Sequence, residues 1–136
     1  MTVKRIDMAM HVMELCATHK IKVHYQSLEA FEPRYWARRH PREIQIRPTK
    51  NTGYYVSALH EIGHIVGDRQ MPRNRLLTQE LYAWIWAYEN GLLWTETAER
   101  IMRRSMDTYG WTDREKDKWD SIKVDNSEQD VTIVAI

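Results

Sequence analysis

Residues 58–67, ALHEIGHIVG, place two histidines four positions apart within an apolar stretch. On an α-helix, residues i and i+4 lie one turn apart on the same face, with roughly 6 Å between their Cβ atoms. His60 and His64 can therefore each direct a ring nitrogen at one ion about 2.0–2.1 Å away. Glu61 lies about 100° around such a helix, where its carboxylate can reach a water molecule held by that ion and act as a general base. A helical segment 58–67 would thus supply two metal ligands and a base.

The neighbouring residues favour a helix over this segment. Asn51 or Thr52 can cap its N-terminus, and Gly67 is a suitable stop. Gly63 is a costly choice within a helix, by about 1 kcal/mol relative to Ala, unless another element packs closely there. The spacing alone leaves a second interpretation open, in which the two histidines hold no ion.

A third protein ligand has to come from elsewhere in the chain. The longer pattern H-E-x-x-H-x-x-G-x-x-H would place it at Gln70, which is a poor zinc ligand. Glu80 follows a loop at 68–77 that is long enough to fold the next helix back. Ala83 and Ala87 lie on the same face as Glu80 and would allow a close approach of the two helices. The alternative for Glu80 is an acid that stabilises the N-terminus of its own helix through the helix dipole.

The remaining segments alternate between helical and extended patterns. The predicted elements are a helix over 5–19, strands over 21–28 and 42–48 separated by an irregular segment at 29–42, helices over 51–67 and 79–90, a helix over 95–108, and a short helix ending near 121. This order predicts an α+β fold in a single domain spanning residues 1–136. Residues 123–136 begin polar and end in an apolar run, which fits an edge strand, a contact with a second subunit or a loose tail.

Composition and charge narrow the class of protein. A net charge of +1 gives no general attraction to nucleic acid or to an anionic membrane. Cys16 is the only cysteine, which excludes a disulfide framework and a Cys-rich zinc site and favours a reducing compartment. No stretch approaches the roughly 18 apolar residues of a membrane span, and the N-terminus lacks an apolar signal core. We therefore expect a cytoplasmic protein with no membrane partner.

Residues 33–50, PRYWARRHPREIQIRPTK, concentrate positive charge beside aromatic rings. The cations are Arg34, Arg38, Arg39, Arg42, Arg47 and Lys50, with Tyr35 and Trp36 interleaved. Such a surface can bind phosphates and stack bases, or it can attract an acidic protein. The alternative is a solvated loop, and no recognisable nucleic-acid-binding motif accompanies the charge.

The segments SALHEIGHIVG and QELYAWIWA together resemble the zincin-type metallopeptidases that use glutamate as the third ligand. They are most similar to the ImmA/IrrE group and related phage and mobile-element proteins, in which H-E-x-x-H precedes E-x-x-A on the next helix. The resemblance covers roughly residues 42–90. It implies a Zn²⁺ site formed by His60, His64 and Glu80. It also implies that Glu61 activates water and that the substrate is a protein or peptide, such as a regulator.

Amide hydrolysis also requires a donor for the developing oxyanion. The candidates in the sequence are Tyr54, Tyr55, Tyr82 and His24. The substrate would lie extended beside strand 42–48 and pair along its edge. The sequence thus predicts a zinc-dependent metallopeptidase. The alternative is a non-catalytic or inhibitory protein on the same scaffold, which would bind protein or nucleic acid through the basic aromatic surface 33–50.

Overall fold

The computed structural model describes residues 2–67, 76–124 and 132–134, and these residues form an α+β fold. The helices are α1 (Arg5–Thr18), α2 (Thr52–Val66), α3 (Leu76–Asn90), α4 (Glu96–Thr108) and α5 (Asp113–Val124). The strands are β1 (Thr2–Lys4), β2 (Lys22–Tyr25), β3 (Trp36–Arg39), β4 (Arg42–Ile46) and β5 (Thr132–Val134). The predicted α+β class is therefore confirmed, and no described helix is long and apolar enough to cross a membrane.

The helices predicted from apolar periodicity all form, with small shifts at their ends. Helix α3 begins at Leu76 rather than at 79, and α5 continues to Val124 rather than ending near 121. Asn51, rather than Thr52, caps α2, because its side-chain oxygen accepts a hydrogen bond from the Tyr54 amide at 2.9 Å. A helix end depends on such local contacts, so it shifts more readily than the helix itself.

The prediction of an irregular segment over 29–42 is wrong for its second half, because residues 36–39 form β3. The sequence there, WARR, has no alternation of apolar and polar residues that would indicate a strand. Its extended conformation comes from antiparallel pairing with β4, in the register Trp36–Gln45 to Arg39–Arg42. Tertiary pairing thus decides a structure that local propensity does not.

Strand β4 is the central strand of a three-stranded sheet with the order β2-β4-β3. It pairs in parallel with β2 and antiparallel with β3, and it buries Ile44 and Ile46 completely. Both of its edges are therefore occupied, so the expectation that a substrate pairs along 42–48 is wrong. The edge of this sheet beside the cleft described below belongs to β3.

Part of the C-terminal segment forms an edge strand, one of the three predicted alternatives. Strand β5 pairs in parallel with β1, with Thr132 opposite Thr2 and Val134 opposite Lys4. Strand β1 was not predicted. Residues 123 and 124 of the tail end α5, and residues 125–131 and 135–136 lie outside the described residues.

Helices α2 and α3 pack closely at a point where neither has a large side chain. A Cβ atom on Gly63 would lie 2.6 Å from the backbone oxygen of Ala83, which is far inside van der Waals contact. Ala83 and Ala87 are buried, at 1% and 0% exposure. The glycine is therefore required by the crossing, as its unusual position in the helix suggested. The close crossing brings the polar residues of the two helices together.

A half-buried carboxylate joins α4 to α5 and to the segment before α4. Glu99 accepts hydrogen bonds from the indole nitrogens of Trp94 and Trp119, each at 2.9 Å. It also pairs with Arg103 at 2.7 Å and with Lys123 at 2.9 Å. Both carboxylate oxygens of Glu99 thereby have hydrogen-bond or ion-pair partners.

Candidate metal centre

The four residues predicted to form the site lie together in the structure. Helix α2 presents His60, Glu61 and His64, and the first turns of α3 present Glu80. The Nε2 atom of His60 lies 2.7 Å from Oε2 of Glu80, and Nε2 of His64 lies 3.2 Å from Oε1. One carboxylate therefore faces both rings, although it comes from the neighbouring helix.

His60, Glu61 and His64 form a group that could hold a metal ion. Each offers one ligand atom, and these atoms lie within 4.8 Å of one another. The carboxylate of Glu61 lies on the other side of the His60 ring, with Oε1 3.6 Å from Nδ1. His60 is thus flanked by two acids, one near each ring nitrogen.

Two atoms at the contact between the helices are buried and incompletely satisfied. His60 Nε2 and Glu80 Oε2 lie within ion-pair distance, but neither has a hydrogen-bond partner of suitable geometry in the described part of the chain. His60 is 8% exposed and Glu80 is 6% exposed, so water does not readily compensate. Leaving a buried donor or acceptor unsatisfied costs about 1–3 kcal/mol. Two imidazoles and a carboxylate are common zinc ligands, so this donor set fits a metal cation.

The charges of the site shift the pKa values of His60 and Glu80 in opposite directions. Burial alone would lower the pKa of His60, but its short contacts with Glu61 and Glu80 outweigh burial and raise it. Burial would raise the pKa of Glu80, but the contacts with His60 and His64 outweigh it and hold the pKa well below its usual range. Glu80 is therefore ionised at neutral pH, which is the protonation state that a metal ligand requires.

Two residues outside the predicted set contact the histidines, one at a ring and one at the backbone. The indole of Trp84 stacks on the His60 ring, with 4.1 Å between centroids and 13° between planes. Arg39, on β3, donates a hydrogen bond from Nε to the backbone oxygen of His64 at 2.8 Å. Trp84 was missed as part of the site, although its position four residues after Glu80 places it on the same face of α3.

The four predicted site residues line a cleft of about 470 Å³. Its walls also include four residues in or next to β3 and the tyrosine that follows α4. The lining residues are Tyr35, Trp36, Ala37, Arg39, His60, Glu61, His64, Gln79, Glu80 and Tyr109. Burial and the neighbouring negative charge of Glu80 raise the pKa of Tyr109. A hydrogen bond with Glu80 contributes to the same shift, so the Tyr109 hydroxyl stays protonated and lies beside the proposed third ligand.

None of the four tyrosine and histidine candidates for an oxyanion donor is among the residues that line the cleft. Tyr55 lies in the core, where its hydroxyl accepts a hydrogen bond from the Leu92 amide and shares another with Nδ1 of His11 at 2.6 Å. His24 instead faces Glu43. Tyr109 could not be found from spacing, because only the packing of α4 brings it to the cleft.

Most of the positive charge in residues 33–50 is engaged within the fold. Arg38 pairs with Glu43 at 3.2 Å, and Arg42 donates to the backbone oxygen of His19 at 2.9 Å. Arg39 contacts His64 as described, and Arg47 is buried at 6% exposure. The predicted basic surface is therefore not a continuous patch of free cations.

No family model, curated protein or solved structure matches the chain significantly. The resemblance to zincin metallopeptidases therefore depends on the residues of α2 and α3 alone. What the structure establishes is an α+β fold with a His-Glu-His group that could hold a metal ion.

Proposed function

We propose that the chain is a zinc-dependent metallopeptidase of the zincin type, in which His60, His64 and Glu80 bind the metal. The observation that carries this proposal is the contact of one Glu80 carboxylate with the Nε2 atoms of both rings, at 2.7 and 3.2 Å. Glu61 is the other possible third ligand, but it lies beside Nδ1 of His60, 3.6 Å away. We therefore assign Glu80 to the metal and leave Glu61 for the reaction.

A metal in this site would relieve the incomplete pairing of His60 Nε2 and Glu80 Oε2. Nitrogen and carboxylate donors favour zinc over the harder cations magnesium and calcium. When bound, Zn²⁺ supplies a Lewis acid and lowers the pKa of its water ligand to about 7.

Glu61 is the residue that we expect to move protons. It is 7% exposed, it lines the cleft, and it is one position from His60 on the helix that carries both histidines. A carboxylate in this position can accept a proton from the attacking water and pass it to the leaving amine. Tyr109 is the donor that we assign to the substrate carbonyl oxygen, because it remains protonated and faces the same cleft.

The cleft offers an edge for an extended peptide. Trp36, Ala37 and Arg39 of β3 line it, and β3 pairs with β4 on one side only among the described strands. A peptide can therefore add to this edge through backbone hydrogen bonds. This arrangement supports a peptide or protein substrate, with β3 taking the role that the sequence analysis gave to the strand at 42–48.

The alternative function, binding through the basic aromatic surface, is less well supported. Arg38, Arg39 and Arg42 are engaged in internal contacts, so fewer cations are available for a partner. An ion with a purely structural role would also require no base beside it, whereas Glu61 lies next to the proposed ligands.

The experiment that tests the proposal combines metal analysis with turnover. We expect elemental analysis of the purified protein to give about one zinc per chain. The zinc-loaded protein should cleave members of a proteome-derived peptide library, detected by mass spectrometry. Glu61→Gln should retain zinc and lower the cleavage rate about 10²–10⁴-fold, the usual contribution of general acid–base catalysis.

Glu89→Gln is the matched control, because Glu89 is an exposed acid on α3 that does not line the cleft. It should change neither zinc content nor rate. A folded protein without metal affinity would overturn the site, and a zinc-loaded protein that cleaves no peptide would overturn the activity. Full cleavage by Glu61→Gln would show that Glu61 is not the base.

A further inference from the structure

The loop between β2 and β3, residues 26–35, exposes large apolar side chains. We call this segment the Phe31 loop. Phe31 is 98% exposed and Leu28 is 41% exposed, and Tyr25, just before the loop, is 56% exposed. Isolated apolar residues are common on protein surfaces, but a fully exposed phenylalanine with apolar neighbours is characteristic of an interaction site.

Side-chain hydrogen bonds hold the backbone of the Phe31 loop in place. Arg47, which is 6% exposed, donates to the backbone oxygen of Ala30 at 2.9 Å and to the side chain of Gln26 at 3.4 Å. The Gln26 side chain donates to the backbone oxygen of Glu32 at 3.0 Å and accepts from the Arg34 amide at 2.8 Å. The backbone of the loop is thus held at Ala30, Glu32 and Arg34 by two side chains, one from the residue after β4 and one from the start of the loop.

Burying the guanidinium group of Arg47 costs free energy, so its hydrogen bonds to the loop must offset that cost. Within the described residues Arg47 has no carboxylate partner, and its contacts are with Gln26, Ala30 and Tyr54. Two of its three partners belong to the Phe31 loop. The fold therefore stabilises a backbone conformation that presents Phe31 to solvent.

The charges around Phe31 indicate the chemistry of its partner. Glu29 and Glu32 flank it, and Arg34 is the other charged residue of the loop, so two acids and one cation give the Phe31 loop a net charge of −1. Neither carboxylate forms a salt bridge within the described ranges of the chain. Two carboxylates repel the phosphates of nucleic acids and anionic lipids. A protein with an apolar pocket bordered by lysine or arginine is complementary to both the ring and the acids.

We propose that the Phe31 loop docks a protein partner through such a cation-bordered apolar pocket. The loop leads directly into Tyr35 and Trp36, which line the cleft. Phe31 precedes Tyr35 by four residues, so their Cα atoms lie at most about 14 Å apart. A protein held by this loop would thus lie beside the cleft. The proposal does not depend on zinc or on catalysis, so it can fail while the proposed function stands.

A random dodecapeptide library displayed on phage is the probe, selected against the immobilised full chain. We expect the enriched peptides to combine an apolar residue with lysine or arginine. Synthetic versions of these peptides should bind Phe31→Ser about 30-fold more weakly by calorimetry, the loss typical of an interface hot spot. Because Phe31 is 98% exposed, this variant should fold normally.

Met13→Ser is the matched control, since Met13 is 62% exposed on α1, and it should leave peptide affinity unchanged. The double variant Glu29→Gln, Glu32→Gln should weaken binding and reduce its dependence on salt. Equal affinity of Phe31→Ser for every selected peptide would overturn the proposal, as would a selection of acidic peptides. Phe31-dependent binding to phosphatidylserine vesicles would assign the loop to a membrane surface instead, and Phe31-dependent self-association in sedimentation would assign it to a second copy.

Discussion

Two glutamates from neighbouring helices, Glu80 on α3 and Glu99 on α4, are both shielded from solvent but have very different surroundings. Glu99 is satisfied by two indole N–H groups and two cations, Arg103 and Lys123. Glu80 faces two imidazoles, and one of its oxygens lacks a hydrogen-bond partner within the described residues. The pKa of both carboxyl groups is lowered, although burial alone would raise it in each case.

A lowered pKa therefore does not distinguish a structural acid from a functional one in this protein. The chemical nature of the neighbouring groups distinguishes the two acids. Indole, guanidinium and ammonium groups can donate to Glu99, but they do not bind metal ions at neutral pH. The imidazoles beside Glu80 become metal ligands when they lose a proton. The Glu99 cluster can only stabilise the fold, whereas the Glu80 cluster can exchange protons for a cation.

The largest difference between the two glutamates should appear in zinc affinity. Glu80→Gln removes a proposed ligand and should weaken zinc binding by more than about 100-fold, beyond the 10–100-fold loss usual for residues that only orient ligands. Glu99→Gln should leave zinc affinity unchanged. Competition with a chromophoric chelator measures both variants. Unaltered zinc affinity of Glu80→Gln would show that the third ligand is another residue.

The close crossing of α2 and α3 should be the next most sensitive feature. In Gly63→Ala the new methyl group would lie 2.6 Å from a backbone oxygen of Ala83, which cannot move independently of its helix. We expect a loss of about 1–3 kcal/mol in the free energy of unfolding, together with weaker zinc binding, because the helices must separate.

Gly53→Ala is the matched control on the same helix. Its Cβ would lie 3.1 Å from the terminal Cδ1 of Ile101 and 3.3 Å from Oδ1 of the cap residue Asn51, and both of these atoms belong to side chains rather than to backbone. Urea unfolding should therefore find a smaller loss of stability in this variant than in Gly63→Ala. A Gly63→Ala variant with unchanged stability and zinc affinity would show that the crossing tolerates a wider spacing.

The Glu99 cluster should make the free energy of unfolding depend on pH. The pKa of Glu99 in the folded protein lies below the usual 4.5. The ionised carboxylate therefore contributes its full share of the folding stability above about pH 4.5, and this share is lost as the pH falls through the folded-state pKa. Glu99→Gln should cost about 1.5–3 kcal/mol at pH 7, as expected for hydrogen bonds to a charged group. Denaturant unfolding at pH 7, 5 and 3 should show the two proteins converging at the acid end. A constant difference across these pH values would mean that Glu99 acts through packing rather than charge.

We expect the smallest change in zinc affinity from the Trp84 indole, which stacks on His60. Trp84→Leu removes the stacked indole and should weaken zinc binding about 10-fold, the lower end of the range for groups that orient a ligand. Trp86→Leu, a change of the same size on α3, is the control and should leave affinity unaltered. Equal zinc affinity of the two variants would show that the stacking contributes to stability alone.

Much of the helical structure could be predicted because its signals are local. The spacing of His60 and His64, the cap at Asn51 and the misplaced Gly63 are all readable within one or two turns. The position of Glu80 was predictable in outline, since small residues on its helix indicated a close approach. Strand β3 could not be predicted, because its extended form depends on pairing with β4.

By itself the sequence determined which donors this protein has and which of them share a helix face, because the helical repeat fixes the spacing of residues only a few positions apart. Only the tertiary structure decided which acid faces both imidazoles, which strand borders the cleft and which tyrosine enters it. Those relations join distant segments, and their geometry is set by how the helices and the sheet pack together. Glu80 lies on α3 and Tyr109 directly follows α4, and they line the same cleft only because α3 and α4 both pack around α2.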